Sequence, residues 1–147
     1  MDQLVSHETA VLAKSKGFIE PTFNFYFENY MAGEEWVLID YIGPGQLGDI
    51  STEENHNSGG WTLNRISAPT QTALQKYLRE IHKIIVWVEP DYDFGDERIL
   101  LNKWGAVVTR GLFSNTTETS YCETYEEALE LGLQMGLNAI KNGKASN

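Results

Sequence analysis

Apolar residues recur at helical spacing in three stretches of the chain and alternate with polar ones between them. The stretch 67–83 gives the clearest helix. Leu74, Tyr77, Leu78 and Ile81 fall at i, i+3, i+4 and i+7 and form one stripe, with Lys76, Arg79, Glu80 and Lys83 opposite. Ser67 reads as its N-cap, and Pro69 lies in the first turn, where a missing N–H is harmless. A C-terminal helix opens with Thr124-Tyr125-Glu126-Glu127, a capping box in which Thr124 and Glu127 each satisfy a free backbone N–H. It continues through Leu129, Leu133, Leu137 and Ile140 and ends near Asn142-Gly143. Ala128, Leu131 and Met135 make a second apolar row, so burial on more than one side is expected. The N-terminal helix spans about His7 to Lys16, with Ser6 as N-cap and Gly17 as stop. Being short, it depends on packing through Val11, Leu12 and Phe18.

Strands fill the intervals. In Thr22–Asn29, Phe23, Phe25 and Phe27 face one way and Asn24, Tyr26 and Glu28 the other. Trp36–Ile42 follows a turn containing Gly33 and completes an antiparallel hairpin. Lys83–Glu89 is apolar on both faces and reads as a central strand, while Arg98–Val108 supplies one or two more, interrupted near Gly105. The expected fold is a single α+β domain over residues 1–147, in the order α-β-β-α-β-β-α, with antiparallel hairpins packed against three helices. Residues 43–60 form a long polar, glycine-rich loop, of a length that is usually functional or mobile. The tail from about residue 143 is expected to be flexible. Segments Ser6–Tyr30 and Ser67–Tyr92 each open Ser-x-x-Thr and run helix then strand, an echo read as coincidence between two similar units.

Composition supports a packed core: 41% of residues are hydrophobic and 22% charged, too apolar for a disordered chain. With Cys122 as the only cysteine, no intrachain disulfide can form. The first residues lack a basic segment followed by an apolar one, and no apolar run approaches the ~20 residues of a membrane helix. A cytoplasmic protein with no membrane contact is expected. Charge changes the picture more. The formal net charge is −10, and between Gly17 and Asn64 there is no Lys or Arg, against eight acidic residues. Such a region repels phosphate backbones, which disfavours a nucleic-acid partner.

No catalytic residue, metal site or cofactor is expected from the motifs. The bend Asp91-Tyr92-Asp93-Phe94-Gly95-Asp96-Glu97 departs from a calcium loop, with Gly95, Asp96 and Asn102 where an oxygen ligand, a glycine and a bidentate Glu belong. Gly43-x-Gly45-x-x-Gly48 runs into Asn57-Ser58-Gly59-Gly60 instead of the helix a dinucleotide fingerprint requires. His56, beside Glu53 and Glu54, is the best single candidate for acid–base work but has no visible nucleophile. His82 ends a helix, where a partly charged imidazole suits the dipole. Cys122 sits among acids that oppose thiolate formation. Gly132-x-x-x-Gly136 suits close approach to a strand or helix. Arg65, Lys76, Arg79 and Lys83 form the only basic cluster, read as a solvated face.

Three segments resemble a family of small, functionally uncharacterised proteins encoded by phages and prophages of gut bacteria. They are Glu8-Thr9-Ala10-x-Leu12-Ala13-Lys14-x-Lys16-Gly17-Phe18, the run Ser67-Ala68-Pro69-Thr70-Gln71 through His82, and Thr124-Tyr125-Glu126-Glu127-Ala128-Leu129-Glu130-x-Gly132-Leu133. The resemblance covers the helices and implies a mobile-element origin; it carries over no catalytic residue.

The expected function is non-enzymatic binding of another macromolecule, with a basic protein as partner. The residues expected to meet it are Tyr26, Tyr30, Glu34, Glu35, Glu53, Glu54, His56 and Trp61. Three alternatives stay open: an acidic DNA mimic that inhibits a host protein, a small hydrolase using His56, and a nucleic-acid binder acting through the second helix. Oligomeric state is not legible.

Overall fold

The computed structural model describes residues 2–29, 35–39, 57, 65–92, 100–111 and 114–141. The fold is α+β, and the described residues form three helices and two antiparallel three-stranded sheets. Packing divides the chain into two units, Leu4–Thr70 and a C-terminal unit of Gln71–Asn147 joined by residues 1–3.

In the N-terminal unit, α1 (His7–Ser15) starts as expected, the Ser6 hydroxyl accepting from the Thr9 N–H at 3.2 Å. Lys16 caps its end and Gly17 follows at φ 83°, the left-handed turn that glycine allows. The helix packs through its small residues Thr9, Ala10 and Ala13, while Val11 is exposed. Small side chains let the helix lie close, so the larger Val11 is not needed in the core. Phe18 is buried as expected. Strands β1 (Phe25–Asn29) and β2 (Glu35–Ile39) form the expected hairpin, with Phe27 opposite Val37.

A third strand, β3 (Arg65–Ser67), adds to the other side of β1, giving the order β2-β1-β3. It corrects the sequence reading of Ser67 as a helix cap. The Ser67 N–H donates to Asn57 Oδ1 at 3.0 Å and the Ala68 N–H to the Asn24 carbonyl at 2.9 Å. Val5 N–H reaches Pro69 O at 3.0 Å, and Thr70 bridges Leu4. Extended pairing therefore claims the chain up to Thr70, and the next helix begins only at Gln71.

In the C-terminal unit, α2 (Gln71–His82) buries Gln71, Leu74, Tyr77 and Leu78. Ile81 shares that stripe by spacing but is 59% exposed in the last turn. Strands β4 (Ile84–Tyr92), β5 (Leu100–Arg110) and β6 (Ser114–Glu118) follow in that spatial order. Two expectations are corrected here. The apolar β4 is an edge strand, not a central one, and β5 runs unbroken through Gly105. The Tyr121 ring lies over Gly105, so a Cβ there would meet Tyr121 Cε1 at 3.0 Å. On the edge, the Gln75 amide donates to the Val86 carbonyl at 2.6 Å.

Helix α3 (Tyr125–Asn138) carries the expected capping box. The Glu127 N–H donates to Thr124 Oγ1 at 3.2 Å, and the Thr124 N–H to Glu127 Oε2 at 3.3 Å. Its second buried row is Ala128, Gly132 and Gly136; Leu131 is exposed and Met135 half-buried. The glycines allow the close approach anticipated for them. A Cβ on Gly136 would sit 2.9 Å from Leu78 Cδ1 and 3.2 Å from Val86 Cγ2. The segments α1-β1-β2 and α2-β4-β5 thus share a helix-then-hairpin order. Yet β3 joins beside the first strand of its hairpin and β6 beside the second of its own. No helix among the described residues is long and apolar enough to cross a membrane.

Candidate anion-binding cleft

A single residue, Lys83, links α2 to β4, and it takes φ 58° to reverse the chain. Its carbonyl accepts from the N–H of Gly111, itself at φ 74°, at 3.2 Å. This junction sets the end of α2 beside the end of β5, where Ile84 pairs with Arg110. Directly opposed residues of an antiparallel pair share a face. Val86 faces Gly132 and Gly136 of α3, so Val108, Arg110 and Thr117 lie on the helix-covered side as well. Helix α3 packs on β4 and β5, and α2 on β4. Thr117 of β6 borders an opening beyond them.

That opening is a cleft of about 690 Å³. Its lining brings together His82, Lys83, Arg110, Thr117 and Lys141 with Val108, Met135 and Ala139. Three of the chain's eleven Lys and Arg residues meet here, and none of the described lining residues is acidic.

Helix C-termini leave carbonyls without helical partners and favour cations. Two of the cleft's cations are held in this way. Arg110 Nη1 donates to the Ala139 carbonyl at 3.3 Å, and Lys83 Nζ to the Glu80 carbonyl at 2.8 Å. The contacts fix where the charges stand. His82 is half-buried, with its Nε2 3.1 Å from the Tyr77 hydroxyl and the two rings edge to face. Burial, and then the Arg110 charge, hold its pKa below the ordinary histidine value. The sequence reading of a partly charged imidazole at this helix end is thereby turned toward the neutral form. The described lining thus combines cations, one hydroxyl and apolar side chains. Among the described lining residues no carboxylate or thiol is present.

Of the contact residues expected from sequence, Tyr26 and Glu35 are among those described. Tyr26 lies in β1, where its hydroxyl donates to the Val5 carbonyl at 2.7 Å and its ring packs edge to face with His7, centroids 5.1 Å apart. His7 also lies against Trp36, ring centroids 4.6 Å apart, and its Nε2 is buried with no hydrogen-bond partner. Burial lowers its pKa. Glu35 opens β2 opposite Asn29. Tyr30, Glu34, Glu53, Glu54, His56 and Trp61 lie outside the described residues, as do the Gly43–Gly48 string, most of the Asp91–Glu97 bend and the tail.

Of the basic residues expected on or beside the second helix, Lys76, Arg79 and Lys83 are exposed, as a solvated face requires. Arg65 lies on β3 with its guanidinium 4.7 Å from the centroid of the Phe25 ring, and Arg79 pairs with Glu80 at 3.5 Å on the surface. Only Lys83 enters the cleft. Burial and then Glu127 and Glu123 push the Cys122 thiol up, in line with the acids noted around it. Among the described residues, no three His, Cys, Asp or Glu side chains group to hold a metal.

Arg110 and Lys141 were missed because dozens of residues separate them from each other and from Lys83. A signal existed: basic residues stand at or just beyond the ends of α2, β5 and α3. Reading it requires knowing that those ends meet. Comparison with protein-family models, curated proteins and solved structures gives no match to this chain.

Proposed function

We propose that this protein is a binding domain whose C-terminal unit seats an anionic ligand between α2, β5, β6 and α3. One observation carries the reading. In a chain of net charge −10, Lys83, Arg110 and Lys141 line one cleft together with His82 and no described acid. Gathering like charges is unfavourable unless something offsets it, and the helix-end carbonyls offset two of the three. The cations are therefore positioned before any ligand arrives, which lowers the ordering cost of binding.

Titration with inorganic phosphate and sulfate, followed by amide chemical shifts, tests this. Shifts should cluster at Lys83, Arg110, Gly111, Thr117 and Lys141 and weaken as salt rises, since exposed charges are screened over about 10 Å at 0.1 M. A variant carrying Lys83→Gln and Lys141→Gln should bind at least tenfold more weakly. Shifts scattered over the surface, or binding indifferent to both salt and the variant, would sink the reading.

A second reading keeps the protein partner expected from the sequence. Phe27 and Val37, opposed across β1 and β2, are 37% and 40% exposed. An exposed apolar cross-strand pair supports a contact surface, and it falls within the stretch of sequence that holds no Lys or Arg. If so, Phe27→Ser with Val37→Ser abolishes co-purification of the partner while the fold is kept; retained co-purification refutes it.

A further inference from the structure

We infer that the ligand of the cleft is an amphipathic anion, a carboxylate or phosphate head on an apolar body. The inference rests on the anion reading above and adds the chemistry of the rest of the ligand. The lining has two characters. Lys83, Arg110, Lys141 and Thr117 supply charge and hydrogen bonds, whereas Val108, Met135 and Ala139 supply none. Met135 lies in the last turn of α3 and Ala139, its C-cap, follows one turn on, so they present adjacent apolar groups. Val108 and Thr117 are directly opposed on β5 and β6, so the sheet wall sets an apolar group beside a hydroxyl.

Size points the same way. A volume of about 690 Å³ falls within the roughly 300–1,000 Å³ of sites that take drug-sized ligands. A bare phosphate or sulfate would engage the cations and leave the apolar groups in contact with water. A ligand with an apolar body covers Met135 and Ala139 while its head meets Arg110 and the lysines. Methionine suits such a wall, because its unbranched, polarizable chain adapts to the shape laid against it. Net charge weighs against a polyanion, which a chain at −10 repels as a whole.

The test is isothermal titration with acetate, butanoate, hexanoate and octanoate, and with alkyl phosphates of the same chain lengths. Inorganic phosphate serves as the head-only control. Affinity is expected to rise about fourfold per methylene, the fold-change of a buried CH₂, and Met135→Ser is expected to flatten that slope. The carboxylate and phosphate arms identify the head by which series binds tighter at equal length. A flat chain-length series alongside salt-sensitive binding of inorganic phosphate overturns the amphipathic ligand and spares the anion reading. Silence toward every anion overturns the anion reading itself. The series on the unaltered protein decides the matter even where the Met135 variant fails to fold.

Discussion

Gly132 of α3 faces Ala106 of β5 so closely that a Cβ added to the glycine would stand 2.6 Å from the Ala106 Cβ and 2.8 Å from Val86 Cγ1. Neither neighbour is the far end of a flexible side chain, so the strand or the helix must move. Gly132→Ala gains about 1 kcal/mol of helix propensity but overpacks the interface, which typically costs about 1–3 kcal/mol. Net destabilisation is expected in urea denaturation. Leu131→Ala, one residue away on the exposed side, should change stability by less than about 1 kcal/mol. A stabilised Gly132→Ala would show that α3 does not seat where described.

The fully buried Leu78 and the exposed Ile81 belong to one sequence stripe and should part company on truncation. Leu78→Ala is expected to cost about 2–5 kcal/mol and Ile81→Ala under about 1 kcal/mol. Chemical denaturation of the two variants checks this; equal losses would contradict the burial pattern.

Thr124 satisfies the Glu127 N–H and Glu127 returns the contact. Removing the hydroxyl in Thr124→Ala should cost about 1 kcal/mol. Thr124→Ser should restore most of that loss, because it keeps the acceptor. If alanine and serine behave alike, the capping contact is not formed in solution.

Both His7 and His82 are held below the ordinary histidine pKa, His7 by burial and His82 by burial and then Arg110. In the unfolded chain each takes up a proton near pH 6.5, while the folded chain resists until lower pH. Their contribution to stability is thus full above about pH 6.5 and is lost as pH falls from there through the folded values. Proton NMR of the imidazoles should give both midpoints below the ordinary value. Arg110→Gln should raise the His82 midpoint and leave that of His7 alone. Midpoints at or above about 6.5 would refute the burial argument.

Local signals made the helices readable: Ser6, Gly17 and the Thr124–Glu127 box each act within one turn, so the sequence carries them whole. The Phe27–Val37 hairpin and the role of Gly132 and Gly136 were legible for the same reason. Strands defined by a distant partner were not. Arg65–Ser67 is a strand because β1 lies beside it, and Ser114–Glu118 because β5 does; neither has an apolar alternation of its own. Trp87 looked central because it is apolar, but its side chain is 38% exposed on an edge strand. The cleft was least legible of all. His82, Arg110 and Lys141 are separated by dozens of residues and meet only because Ile84 pairs with Arg110 and α3 ends beside them.

Gln75 has a bearing on how copies of this chain behave toward one another. An outermost strand with bare carbonyls is a template on which a stranger's backbone can assemble, and nine apolar-rich residues at β4 would make an inviting one. By lending its amide to Val86, Gln75 occupies a docking point that an incoming strand would need. A single side chain on α2 thereby helps keep the sheet at three strands.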